Sequence, residues 1–429
     1  MPFGSRIIIE SVSPNPENAK VRFYPIRSVE LAFLSIGALG MMWPQLVLPT
    51  QLHIDQLELV TQLRDTVGLV RIPNISRERL WVFKCRTTDT KYLYHELKML
   101  LSLDEHENVL PKPEFLVVQQ DSSLSLSRVL GMIIPYYPLG NLGQMIERLR
   151  KEGTLDFKTK LSWAKQLSTA LAWLTTTPMR YYSELKPDNI VCTGLSTIKL
   201  IDMEHYGNWE TFTAPEIYHV ENLGRLSRSN LVPLIERGRY RAMYFENIPN
   251  KTDEGAAYSN PEHGYFDAWN ILSPERQEAA MIYALGKMMW CIFEGWSHTV
   301  NTLDEEYTDD CGWEFPEFHD SPPDIRCIIF NCTKGSPDWN EPSVDRLVRV
   351  ETKIFPKGRT GREGEPRASS AETLHLSKTI WTERLKIMEL YMEARRRWEN
   401  GNYVNDDAIL LGFPLRPGLK DVITTLEKL

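Results

Sequence analysis

The stretch YYSELKPDNIV, residues 181–191, decides how the rest of the chain is read. It gathers Glu184, Lys186, Asp188 and Asn189 among the apolar Leu185, Pro187 and Ile190. A second stretch, IKLIDMEHYGNW at 198–209, follows directly. NIVCT and TIKLID read as the strands of a tight hairpin with Gly194 in its turn. Asn189 then stands at the entrance of one strand and Asp202 at the exit of the other. Oxygen ligands in such places suit a hard cation such as Mg2+, which nucleotide sites hold through one or two carboxylates. Lys186 supplies a charge that neutralises a transferring phosphoryl group, and Glu184 a carboxylate that orients or deprotonates a hydroxyl.

Working outward, residues 57–86 alternate β-rich runs with turns, LELVTQL, LVRI and LWVFKCR, and predict a three-stranded antiparallel meander. Leu93, Leu97, Leu100 and Leu101 recur at helical spacing across 89–103. EFLVVQQ and SRVLGMIIPYY read as two further strands around the polar DSS. On the other side of PLGNLGQMIERLR, the apolar stripe Leu155, Phe157, Leu161, Ala164, Leu167, Leu171 and Leu174 predicts a core helix over 155–174. Residues 275–294 are apolar nearly all round and predict a buried helix. Residues 217–272 read as an irregular insertion with little core of its own. Residues 351–370, polar and rich in Gly and Pro, read as a mobile linker before a charged helix over about 371–399.

Taken in order, these residues resemble a protein-kinase catalytic domain. The catalytic loop H-R-D-L-x-x-x-N of that family appears as Tyr182-Ser183-Glu184-Leu185-Lys186-Pro187-Asp188-Asn189, D-F-G as Asp202-Met203-Glu204, and A-P-E as Ala214-Pro215-Glu216. Lys84, in LWVFKCR, stands where V-A-I-K belongs, and Glu96 on the following helix is its ion-pair partner. The resemblance covers about residues 57–345. It implies a two-lobed α+β fold, with a small antiparallel sheet plus one helix and a larger, mainly helical lobe. It also implies ATP and Mg2+ as cofactors. Lys84 would hold the α- and β-phosphates, with Glu96 fixing Lys84, and Tyr136 and Tyr137 would flank adenine. Asn189 and Asp202 would ligate magnesium, while Glu184 and Lys186 would serve transfer to a protein hydroxyl of Ser/Thr type. The compact segment I-D-M-E-H-Y-G-N-W before A-P-E is also similar to divergent kinase-like proteins of filamentous fungi.

The chain departs from the family pattern at several places. LVTQLRDTVGLVRI offers only Gly68 where G-x-G-x-x-G is expected. Glu184 replaces the catalytic Asp, Ser183 the preceding Arg, and Glu204 the glycine of D-F-G, while Met281 stands where the buried helix is expected to carry an Asp. These departures keep a second reading open, that of a pseudokinase acting as a binding or scaffolding module. Its partner surfaces would be the 217–272 insertion and the terminal helix with its basic MEARRRWE turn.

Composition bounds both readings. The 429 residues are 42% hydrophobic and 25% charged with a net charge of −8, which leaves no global footprint for nucleic acid. Six scattered cysteines without a C-x-x-C pair suit a reducing compartment and packing roles. No signal-peptide pattern opens the chain, so a cytoplasmic or nuclear location is expected. Residues 31–54 lack charge but are broken by Pro44 and Pro49. They predict a buried helix or interface segment rather than a membrane span. The expected division is an N-terminal extension (1–55), a small lobe (56–135), a large lobe (136–345) with its insertion, and a linker with a C-terminal helical extension (346–429). The expected partner is a protein, as substrate or as binding partner.

Overall fold

Short β-rich runs separated by turn residues set the strands of the first part of the chain, and the computed structural model forms them. It describes residues 6–11, 20–24, 26–121, 124–207, 210–249, 255, 257–297, 315–339, 347–350, 353–356 and 369–429. The chain divides into two units. One comprises Met1–Pro138, Ile201–Tyr206 and Asp253–Tyr265, the other Leu139–Leu200, Gly207–Thr252 and Phe266–Leu429.

The first unit contains β1 (Arg6–Ser11), β2 (Lys20–Tyr24), α1 (Arg27–Ala32), α2 (Ile36–Met42), β3 (Thr50–His53), β4 (Glu58–Arg64), β5 (Val67–Ile72), β6 (Ser76–Cys85), α3 (Thr90–Ser102), β7 (Phe115–Gln120) and β8 (Ser127–Pro135). β1 and β2 pair by themselves, and the other strands form an open six-stranded sheet in the order β3-β7-β8-β6-β5-β4. The predicted meander is β4–β5–β6, antiparallel throughout. β3 joins parallel to β7 and makes the sheet mixed. Leu52, Val70, Ile72, Trp81, Phe83, Val117 and Ile133 form the core on the sheet. Gly131 on β8 has a packing reason: a Cβ there would lie 2.2 Å from the Lys84 carbonyl and 2.7 Å from the Phe83 ring. Its absence lets β8 close on the end of β6 that carries Lys84.

Residues 31–54 form no long helix. They divide into α2, a turn and β3, with Phe33, Leu39, Trp43 and Leu52 buried and Met41 and Val47 exposed. The Trp43 indole donates to the Tyr258 hydroxyl at 3.2 Å and to Asn260 Oδ1 at 3.1 Å, so residues 257–265 belong to this unit. Among the described residues, no helix is long and apolar enough to cross a membrane.

The second unit contains α4 (Leu142–Lys151), α5 (Phe157–Leu174), β9 (Ile190–Cys192), β10 (Ile198–Leu200), α6 (Pro215–Arg228), α7 (Leu234–Asn247), α8 (Asp267–Asn270), α9 (Pro274–Glu294), α10 (Pro323–Cys332), β11 (Leu347–Val350), β12 (Lys353–Pro356), α11 (Ser370–Glu399), α12 (Asn405–Leu411) and α13 (Leu419–Glu427). Asp156 caps α5 by accepting the Thr159 N–H, which places Leu155 outside the helix, and Phe157 is exposed rather than part of the stripe. α9 is apolar all round and buried along nearly its whole length, as a central core helix must be.

The 217–272 stretch departs from its reading as an irregular insertion. Ile217, Val220, Leu223 and Gly224 repeat at helical spacing and bury one face of α6. α7 lies against it, with the Tyr244 ring 2.9 Å from the Cβ position of Gly224. Lys353–Pro356, inside the expected linker, is a strand paired with β11, while 357–368 lie outside the described residues. Residues 412–429 pack into this unit rather than trailing from it. Gly412 and Gly335 meet backbone to backbone, where a Cβ on Gly412 would stand 2.5 Å from the Gly335 Cα, and α13 packs on α5.

His219 on α6 makes the unit sensitive to acid. It is fully buried with Nδ1 unpaired, its ring 4.7 Å from that of Tyr391 on α11. Burial pushes its pKa down to about 3. A pKa below the unfolded value of about 6.5 means full stability above pH 6.5, lost as pH falls from there toward 3. Between pH 6.5 and 5 the loss is about 2 kcal/mol. Urea unfolding of His219→Phe at pH 7.5 and 5 is expected to show a correspondingly smaller loss; an identical loss removes His219 from the explanation.

Candidate functional site

β6 delivers Lys84 as its penultimate residue, and α3 delivers Glu96 one turn from the buried Leu93, Met99 and Leu100. Lys84 Nζ lies 2.7 Å from Glu96 Oε2, 2.6 Å from Asp202 Oδ1 and 2.9 Å from Glu204 Oε1. The Glu96 side chain is fully buried and that of Lys84 is 8% exposed, so this is no surface ion pair. The Met203 N–H donates to Glu96 Oε1 at 3.2 Å. Asp202 takes the left-handed backbone conformation (φ 65°), which a non-glycine residue holds only where its surroundings fix it.

Arg86 donates to Glu204 from the side opposite Lys84, and its guanidinium lies 4.8 Å over the Tyr206 ring. The cluster thus sets three carboxylates against two cations. Burial alone would lower the Lys84 pKa, but Asp202, Glu204 and Glu96 hold it well above its ordinary value. Burial raises the Glu96 carboxyl, with Glu204 and Asp202 adding to the rise and Lys84 opposing it. Oxygen atoms of Glu96, Asp202 and Glu204 lie within 4.8 Å of one another, a donor set of the hard kind that Mg2+ prefers.

Tyr136 and Tyr137 follow β8 and are both half-buried. Burial, with Glu114 nearby, raises the Tyr137 phenol. No hydrogen bond joins either ring to the Lys84 cluster. The expected glycine loop is a two-residue turn, Asp65-Thr66, and Gly68 lies within β5 opposite Gln62 and Phe83.

In the second unit the 181–191 stretch is a buried loop entering β9. The Tyr181 ring stacks on Trp269 with centroids 4.8 Å apart. The Tyr182 N–H points at Met281 Sδ, 3.2 Å away, so the residue standing in place of the expected Asp still faces this loop, as a weak acceptor. Glu184 is 9% exposed, and its Oε1 accepts the Gly207 N–H at 3.2 Å. The Asn189 amide donates to the Glu184 carbonyl at 3.1 Å, which leaves its oxygen as the end suited to a cation. Lys186 is half-buried, just ahead of the single 3-10 turn Pro187–Asn189. Asp188 is exposed and accepts from Asn141 Nδ2 at 2.8 Å, a structural contact with the start of α4. The β9–β10 register pairs Ile190 with Leu200, the predicted hairpin.

Glu204 and Arg86 are the functional candidates that the sequence reading passed over. Each stands two residues beyond a recognised one, Asp202 and Lys84. Among the described residues, Cys85, Cys192, Cys291, Cys327 and Cys332 are free thiols. Compared with known proteins, the chain matches no family model and no curated protein.

Proposed function

We propose that the chain is a divergent protein kinase of Ser/Thr type, two-lobed in that family's manner, which transfers the γ-phosphate of ATP to a protein hydroxyl. One observation carries the reading. Lys84, Glu96 and Asp202, separated by up to 118 positions in the sequence, meet in one buried contact network. In this reading Lys84 binds the α- and β-phosphates and Glu96 holds Lys84 in place. Tyr136 and Tyr137 flank the base, and Asn189 and Asp202 hold magnesium, which shields the phosphate charges. Glu184 orients the acceptor hydroxyl and takes its proton, and Lys186 offsets charge on the moving group. Catalysis then rests on positioning and charge neutralisation.

A specific observation favours the second reading, a pseudokinase that binds a protein partner. The carboxylate of Glu204 stands 2.9 Å from Lys84 Nζ, against the cation that phosphate would need. Calorimetric titration of ATP with and without magnesium, and of adenosine, alongside Asp202→Asn, separates the two. The kinase reading expects magnesium-dependent binding that weakens at least about tenfold in the variant. No binding of either ATP or adenosine at millimolar concentration would leave the partner-binding module.

A further inference from the structure

We propose that Glu204 is an internal competitor for the phosphates at Lys84, so that the site holds a nucleoside in preference to a triphosphate until the Glu204 side chain withdraws onto Arg86 alone. The proposal rests on the nucleotide reading given above and names what regulates that site.

An ammonium has three N–H donors and no more. One hydrogen bond goes to Asp202, and the carboxylates of Glu96 and Glu204 crowd the same nitrogen at 2.7 and 2.9 Å. Glu96 is the partner the kinase reading anticipates, and Asp202 is the carboxylate it gives to magnesium. Glu204 is the extra one, at a place where the resemblance expects a residue with no side chain. A triphosphate approaching Lys84 therefore meets an occupied cation and an excess carboxylate.

The backbone on either side of Glu204 is fixed. On one side the Met203 N–H is bound to Glu96, and on the other buried His205 sets its Nδ1 3.2 Å from His95 Nε2, both partners being on α3. The Tyr206 ring meets the Tyr92 ring edge-on at 4.5 Å. What is left to change is the side-chain torsions of Glu204. Arg86 already holds its other oxygen, so withdrawal from Lys84 leaves the carboxylate paired rather than bare. The arrangement has two settings, a carboxylate bridging both cations or a carboxylate on Arg86 with Lys84 released to phosphate.

The test titrates adenosine and Mg-ATP separately into the full chain, its Glu204→Gln variant and its Glu204→Gly variant. Glu204→Gln keeps the side-chain shape and leaves two carboxylates against two cations, while Glu204→Gly repeats the test should the amide disturb folding. Adenosine is expected to bind all three proteins alike, because it brings no phosphate to Lys84. Mg-ATP is expected to bind the variants at least about tenfold more tightly than the wild type, since juxtaposed like charges oppose binding strongly. If adenosine binds and Mg-ATP affinity is the same in wild type and variants, the role of Glu204 is overturned and the nucleotide reading stands. If neither ligand binds any of the three, the nucleotide reading falls and takes the proposal with it.

Discussion

Replacing Arg416 by Met is expected to destabilise the second unit by about 3–5 kcal/mol, the range for leaving one member of a buried ion pair uncompensated. The side chains of Arg416 and Glu216 are 0% and 2% exposed. The guanidinium donates to both carboxylate oxygens of Glu216, at 2.6 and 3.2 Å, and to the carbonyls of Ala279 and Lys334, each at 3.0 Å. One side chain thus ties the start of α6, the body of α9 and the end of α10 to the segment that leads into α13. Removing it strands a buried carboxylate and three elements' worth of contacts. The double variant Arg416→Met/Glu216→Met is expected to recover much of the loss, because it removes the stranded charge as well. A surface pair, Arg396 with Glu246, whose side chains are 57% and 53% exposed, provides the comparison; breaking it is expected to cost under about 1 kcal/mol. Urea unfolding of the four proteins checks this. A loss below about 1 kcal/mol for Arg416→Met would mean that α13 is held by its apolar face alone.

Residues 412–429 could not have been placed from sequence for the same reason. Glu216 and Arg416 are 200 positions apart, and nothing local in PLRPGLK marks its partner. What was legible was local or already patterned. The β4–β6 meander follows from β-rich runs broken by turn residues, α3 from the helical spacing of its leucines, and the pairing of Lys84 with Glu96 from the order of the motifs, whereas the contact of Lys84 with Asp202 was not part of that reading. β3 was hidden because VLPTQLHI sits inside an uncharged run with no clear alternation. α6 and α7 were hidden by polar residues on their outer faces, which drew attention away from Ile217, Val220 and Leu223. Glu204 shows a different limit. Comparison with a pattern registers it as a missing glycine, whereas its chemistry is that of an added carboxylate, and only the distances to Lys84 and Arg86 give that charge a place.

The kinase reading makes its largest claim at Glu184, where Glu184→Gln is expected to lower turnover by about 10²–10⁴-fold while ATP affinity stays within about twofold. The carboxylate is nearly buried, with one oxygen on the Gly207 N–H and the backbone carbonyl held by Asn189, so its position is set from two directions. Glutamine preserves the shape and removes both the charge and the capacity to accept a proton. A general base that acts only as the hydroxyl attacks affects the rate and leaves nucleotide binding alone. Shortening the side chain provides the geometric control. Glu184→Asp draws the carboxylate back by one methylene, and a displacement near 1 Å at a reacting group costs about 10²-fold. Because no protein substrate is needed for it, Mg-ATP hydrolysis by the purified chain is the assay. Loss in both variants with binding intact supports a base at Glu184. Equal turnover in wild type and Glu184→Gln would remove that residue from the chemistry, and the buried loop would then owe its form to the hydrogen bonds from Gly207 and Asn189, as a partner-binding module requires.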